Sequence, residues 1–188
     1  MIKVLVNGIV ELQLQLQILH ENEIQIYYYG YTLFFELLIN IAISLIIGIL
    51  MGNIADLIFF LCTFIPLRSF CGGYHADESW KCIILSNLIC YVVMKASLIL
   101  QKYNIHLHLY IIIIFCLASC IMRLAPVDSN KKKLNAKERQ YYKKCIYKLV
   151  FVEILISILL FLCGYQKQSN MVLFIYIVQV FSLLIVPK

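Results

Sequence analysis

The sequence predicts an all-α polytopic membrane protein. Six transmembrane helices follow an amphipathic N-terminal helix that lies in the membrane interface, and a polar segment interrupts the spans on the cytoplasmic side. Three observations lead there. Hydrophobic residues make up 63% of the 188 positions and the mean hydropathy is +0.89, whereas a soluble domain is about half apolar and one of this length has no core large enough for the excess. The apolar residues are gathered into six long runs. The positive charge is concentrated in one of the intervening loops, which speaks of topology and acidic partners, not of nucleic acid.

The chain reads as one integral membrane domain, residues 1–188. The N-terminal region, residues 1–28, is apolar but punctuated. On a helical wheel Ile2, Leu5, Ile9, Leu12, Leu16 and Leu19 share one face and Lys3, Asn7, Glu11 and Gln15 another, the pattern of a helix lying in the plane of the interface. Val10 to Ile18 also alternates with period two, a strand signal. The helix is favoured because an unpaired strand edge is costly at a membrane. With one Lys, an interrupted apolar stretch and no small-residue cleavage pattern, this region does not read as a cleavable signal peptide.

Apolar runs follow at roughly 32–51, 54–67, 82–101, 105–123, 149–165 and 170–187, set against the ~20 residues that a span needs. The second ends at Pro66 and Arg68 and is short enough to be tilted or to continue beyond them. The fifth is also at the short limit. Orientation follows the Lys and Arg residues. The loop 123–148 holds Arg123, Lys131, Lys132, Lys133, Lys137, Arg139, Lys143, Lys144 and Lys148 and is assigned to the cytoplasm. Six spans threaded from it put Lys3, Arg68, Lys81 and Lys188 on the same side and only Lys102 and Lys167 on the other. Both termini are then cytoplasmic. Of the eight Cys, five (Cys62, Cys90, Cys116, Cys120 and Cys163) fall inside apolar runs, where Cys behaves as a small hydrophobe.

The polar segment 68–82 reads Arg-Ser-Phe-Cys-Gly-Gly-Tyr-His-Ala-Asp-Glu-Ser-Trp-Lys-Cys. His75 and Cys82 are the minimum set for thiolate attack on a carbonyl, with imidazole as base and sulfur as nucleophile. The cytoplasm keeps the thiol reduced. Seven residues apart on a straight helix, the two would sit about 10 Å apart along the axis, so a catalytic pair requires a break. Gly72-Gly73 permits one, and Asp77 or Ser79 is a fitting cap for the next helix. With Ser79 as cap, Cys82 falls in the first turn, where the helix dipole favours thiolate and Lys81 adds positive charge. Gly72 and Gly73 would let backbone N–H groups approach an oxyanion, or simply make a tight turn. Asp77, Glu78, Ser79 and Asn87 are all candidates to orient His75. Two alternatives stand beside catalysis: an interfacial turn with structural His and Cys, and a zinc site built on Cys71, His75 and Cys82, which lacks the usual fourth ligand. No cofactor motif is evident. Glu36, Lys95 and Glu153 lie in or near spans, an expensive placement, and Lys95 with Glu153 is a conceivable interhelical pair.

Arg68-x-x-x-Gly72-Gly73-x-His75-Ala76, followed by Cys82, resembles the accessory gene regulator B (AgrB) family of membrane cysteine endopeptidases of Gram-positive quorum sensing. The resemblance extends to the six spans, the punctuated N-terminus and the basic loop with Lys131, Lys132 and Lys133. It implies an AgrD-like propeptide substrate whose C-terminal tail is removed and whose signal segment is closed into a thiolactone or lactone ring. It also implies Cys82 as nucleophile, His75 as general base, Arg68 and Gly73 at positions needed for activity, the three lysines as a basic cluster, and a homodimer in the bilayer. The rival readings are a small peptide transporter or exporter, with His75 and Cys82 structural, and a membrane scaffold for a sensor kinase.

Overall fold

The computed structural model describes residues 2–73, 79–103, 105–128 and 134–185. Seven α-helices and one short 3-10 turn, Glu21–Glu23, account for the secondary structure among them, with no strand. The helices are α1 (Ile2–Gln15), α2 (Ile24–Leu50), α3 (Ile54–Cys71), α4 (Ser79–Leu100), α5 (Leu107–Leu124), α6 (Ala136–Leu162) and α7 (Gln166–Ile185). The last six are long and apolar enough to cross a membrane.

The N-terminal region is helical, not extended, but it is divided. α1 stops at Gln15, Gln17 takes a positive φ of 56°, and α2 starts at Ile24. Val6, Val10 and Leu19 pack against Ile24, Tyr28, Tyr31 and Phe35, and the Gln13 amide donates to the Tyr31 hydroxyl at 2.7 Å. The strip that docks on α2 therefore lies beside the apolar face read from the sequence. Leu5, Leu12 and Leu16 of that face stay exposed, uncovered by protein. This hairpin has its own small core, separate from that of the main bundle.

Two helices differ from the apolar runs for identifiable reasons. α3 does not end near Pro66 but continues to Cys71. A proline removes a single helix hydrogen bond, and membrane helices tolerate it where neighbours re-satisfy the backbone. α6 begins thirteen residues before its apolar run, at Ala136. Glu138 accepts from the Asn135 N–H at 2.9 Å, half of a capping box, and Lys137, Arg139, Lys143, Lys144 and Lys148 all face solvent. That first stretch is a polar extension of a span, about 20 Å long at 1.5 Å per residue.

α7 is the axis of the bundle. Half of its span is buried within the protein, and it touches α3, α4, α5 and α6. Polar bonds tie it to its neighbours. Tyr110 of α5 bonds both the Ser157 hydroxyl of α6 and the Ser169 carbonyl of α7, the latter at 3.0 Å. α2 sits outside, joined to α4 by a polar clasp in which Asn87 donates to Asn40 at 3.0 Å and accepts from Ser44 at 3.0 Å. At Gly48 of α2, a Cβ would stand 2.6 Å from a methyl of Leu57, so the α2–α3 approach depends on a small residue. Lys95 is exposed with its ammonium 6.0 Å from the Tyr91 ring, while Glu153 is buried among core residues.

The six spans place the start of α2, Gly72 and Gly73, the start of α4, the end of α5, the start of α6 and the end of α7 at one end of the bundle. At the other end Lys167 pairs with Asp56, which also accepts from Gln168 at 2.8 Å. Asp56 is only 1% exposed, and a buried charge left without its partner is costly. Lys167→Met is expected to lower stability by about 3 kcal/mol, read as a lower melting temperature in detergent. The double change Asp56→Leu, Lys167→Met should recover most of that loss, and a double variant no better than the single would refute a buried-charge cost.

Candidate functional site: the Gly72–Gly73 corner

The corner forms where α3 runs out of helix. The Gly72 N–H closes α3 on the Arg68 carbonyl at 3.1 Å. Gly72 then turns with φ 70° and ψ −152°, a backbone region essentially reserved for glycine. Space demands glycine too, since a Cβ on Gly72 would stand 2.7 Å from the Val127 carbonyl oxygen. Gly73 is buried with φ 130°, and a Cβ there would collide with the Arg68 guanidinium and stand 2.5 Å from the Ser182 hydroxyl.

Three elements hold this corner. The Gly72 carbonyl accepts from Arg68 Nη1 at 3.0 Å and from Gln179 Nε2 of α7 at 2.9 Å. Arg68 Nη1 also donates to the Ser182 hydroxyl. From the loop after α5, Val127 N–H donates to the Cys71 carbonyl at 3.1 Å. Arg68, in the last turn of α3 where a cation complements the helix dipole, is turned inward and is not merely a surface charge. Its guanidinium lies within electrostatic range of both the Cys82 and Cys71 thiols.

Cys82 is half-buried in the first turn of α4. Ser79 is itself the first helical residue, so it is not the cap expected from the sequence; the cap position and the candidates Asp77 and Glu78 lie outside the described residues, as does His75. What the structure does establish is that Cys71 and Cys82 do not share one helix, because Gly72 and Gly73 leave it. Lys81 is exposed, 5.4 Å from the Trp80 ring.

Two expectations change. The Gly72 N–H is spent on capping α3, so it has no proton to offer an oxyanion. Asn87 is committed as well: its amide hydrogens go to Asn40 and to the Ile83 carbonyl at 2.8 Å, and its oxygen, the atom that would accept from an imidazole N–H, accepts from Ser44 of α2.

The basic loop approaches the same corner. Lys131, Lys132 and Lys133 lie outside the described residues, but both ends of their segment are placed. Asp128 pairs with Arg139 at 2.8 Å and accepts from the Leu134 N–H at 3.3 Å, so one carboxylate ties the two ends together. Val127, bonded to Cys71, immediately precedes it.

Sequence reasoning missed Gln179 and Ser182. Their signal was present: two polar side chains at i and i+3 inside an apolar run, a placement that needs partners in a membrane.

Fold and corner together define a polytopic helical membrane protein with a cysteine and an arginine gathered at one end. Residues 5–183 match the family described as accessory gene regulator B. A putative AgrB-like protein of Clostridium perfringens strain SM101 is 30% identical over 158 residues, covering 79% of this chain and 74% of the relative. The putative AgrB-like protein 2 of strain 13 matches to the same extent. Protein FsrB of Enterococcus faecalis is 26% identical over 162 residues, covering 85% of this chain and 64% of FsrB. No solved structure matches. The chain belongs to the AgrB family, which ties it to the accessory gene regulator system of quorum sensing.

Gly72→Ala is expected to cost about 1–3 kcal/mol from backbone strain alone, with the Val127 clash added. Gly30→Ala, at a helical site with nothing within 4 Å, should be neutral or slightly stabilising. Thermal melting of the two variants side by side checks this; equal melting temperatures would contradict the account of the corner.

Proposed function

We propose that this protein is a membrane cysteine endopeptidase that removes the C-terminal tail of an AgrD-like propeptide and closes the remaining signal segment into a ring. The observation that carries the reading is the seat of Cys82. It lies in the first turn of a helix, with the Arg68 guanidinium held within electrostatic range by the adjoining corner. Both the helix N-terminus and the guanidinium favour a thiolate there.

In this reading His75 takes the Cys82 proton and the sulfur attacks the scissile carbonyl. The C–N bond breaks, the imidazolium protonates the departing amine of the tail, and an acyl-thioester remains on Cys82. A thiol or hydroxyl of the same peptide then attacks the thioester, giving a thiolactone or lactone and returning the proton to the Cys82 sulfur. No water is consumed. Cyclisation prevails over hydrolysis when the internal nucleophile is held close and water is kept out.

The acidic tail of such a propeptide suits the basic loop. Lys131, Lys132 and Lys133 belong to a segment tied at both ends by Asp128 and anchored to the corner through Val127. That continuity supports a role for them in drawing the tail toward Cys82, with Arg68 holding the corner. We place this end of the bundle, both termini and residues 68–82 on the cytoplasmic side, where the positive charge gathers. The functional unit is a homodimer in the bilayer.

The test is co-expression with the small amphipathic open reading frame beside the gene, followed by mass spectrometry of the peptide products. Wild type should release a shortened peptide and form a thioester adduct on Cys82, while Cys82→Ala and His75→Ala should release none. Unchanged cleavage in Cys82→Ala would remove the nucleophile and favour a transporter or scaffold. Replacing Lys131, Lys132 and Lys133 by Gln should weaken processing and flatten its salt dependence, since exposed charge attraction is screened beyond about 10 Å at 0.1 M salt. A triple variant that keeps the salt dependence of wild type would contradict tail recognition.

A further inference from the structure

The Gly72 carbonyl is the first beyond the end of α3, and it lies where it has no helical partner of its own. A buried carbonyl at a membrane-protein helix end needs donors, and here one of the two comes from a remote helix. Gln179 is fully buried and spans the gap from α7 to Gly72 at 2.9 Å. Ser182, one turn further on the same face, receives the other bond of Arg68 Nη1. So one nitrogen of Arg68 is fixed between a main-chain oxygen of its own helix end and a hydroxyl of α7, while the oxygen it holds is gripped a second time by α7. The missing Cβ of Gly73 is filled by these same two partners, the Arg68 guanidinium and the Ser182 hydroxyl.

We propose that Gln179 and Ser182 of α7 are positioning residues for the thiolate chemistry: they fix the Gly72–Gly73 corner and the Arg68 guanidinium relative to Cys82. The proposal rests on the peptidase reading above.

The physical consequence has two parts. A chain advances at most ~3.6 Å per residue, so the Cα of His75 is always within about 7 Å of that of Gly73. Fixing Gly73 from α7 therefore bounds where the general base can reach. In addition, the charge of Arg68 on α3 bears on Cys82, and Lys81 is the chain neighbour of Cys82 on α4. Lys81 is exposed beside Trp80, whereas Arg68 is half-buried and bonded to Ser182 of α7, so α7 helps to decide where the guanidinium sits. Loss of the Ser182 hydroxyl or of the Gln179 grip on Gly72 loosens the seat of the guanidinium, and a guanidinium displaced toward solvent acts on a thiolate more weakly. Gln179 and Ser182 act through the corner.

The test uses the full-length protein in nanodiscs and iodoacetamide as the probe, with alkylation followed at each cysteine by peptide mass spectrometry between about pH 6 and 9, the range that spans thiolate formation. Cys145, half-buried on α6, is the internal control. In wild type Cys82 should react faster than Cys145 at pH 7. In Gln179→Met, which keeps the volume and loses the donor, the Cys82 rate at pH 7 should fall about tenfold and its pH midpoint should move up, with Cys145 unchanged and the melting temperature retained. Ser182→Ala, a smaller change that decides the matter if Gln179→Met fails to fold, should act in the same direction. Folded variants with the wild-type Cys82 profile overturn the positioning role while leaving the peptidase reading intact, provided wild type still releases the shortened propeptide. A wild-type Cys82 no more reactive than Cys145, with no propeptide cleavage, overturns both.

Discussion

One main-chain oxygen carries an unusual share of this structure. When α3 ends at the bundle's edge, the chain must turn without leaving polar backbone groups unsatisfied, because neither lipid nor packed helices supply donors freely. The Gly72 carbonyl meets that demand by accepting from Arg68 and from Gln179. Almost everything at this end follows. Glycine is required at 72 by its dihedral angles and by Val127, glycine is required at 73 by Arg68 and Ser182, and Arg68 is drawn inward to where it bears on Cys82. The basic loop is attached to the same turn through Val127. A single main-chain acceptor thus organises contributions from α3 and α7, next to the connection between α5 and α6.

The two ends of the bundle solve their electrostatics differently. At the far end the lone lysine at the start of α7, Lys167, is paired with buried Asp56, so that end presents little free positive charge there. At the corner end the cations are many. Several extend into solvent along the first turns of α6, and one is folded in as Arg68. This asymmetry is what the positive-inside rule reads, and it shows why a count of lysines and arginines works even though individual residues are used for quite separate purposes.

How much of this was legible in the sequence varies with the range of the interaction. The six spans could be read because each is a run of apolar residues whose length is set by the bilayer. The break at Gly72-Gly73 was also local, and the structure places Cys82 in the first turn of the following helix as that break implies. Helix ends were less legible. α3 runs through Pro66 because its neighbours compensate, and α6 starts early because Glu138 caps a polar stretch that hydropathy alone discounts. Long-range pairings were not legible at all. Nothing in the 68–82 segment tells that its carbonyl is held by Gln179, 107 residues away; the only trace is the presence of Gln179 and Ser182 in a run that otherwise avoids polar side chains. Likewise the amide of Asn87 looked available until its partners on α2 were known.

The central place of α7 has a consequence for the order in which the protein becomes competent. Residues 68–82 are synthesised and delivered to the bilayer roughly a hundred positions before Gln179 and Ser182. Until α7 has inserted among α3, α4, α5 and α6, the Gly72 carbonyl lacks the Gln179 donor and Arg68 lacks its bond to Ser182. A nascent chain, with Cys82 already made, is therefore structurally unfinished at this end. The last helix to arrive completes the corner, and a chain that stalls before it lacks the α7 bonds that hold Gly72 and Arg68.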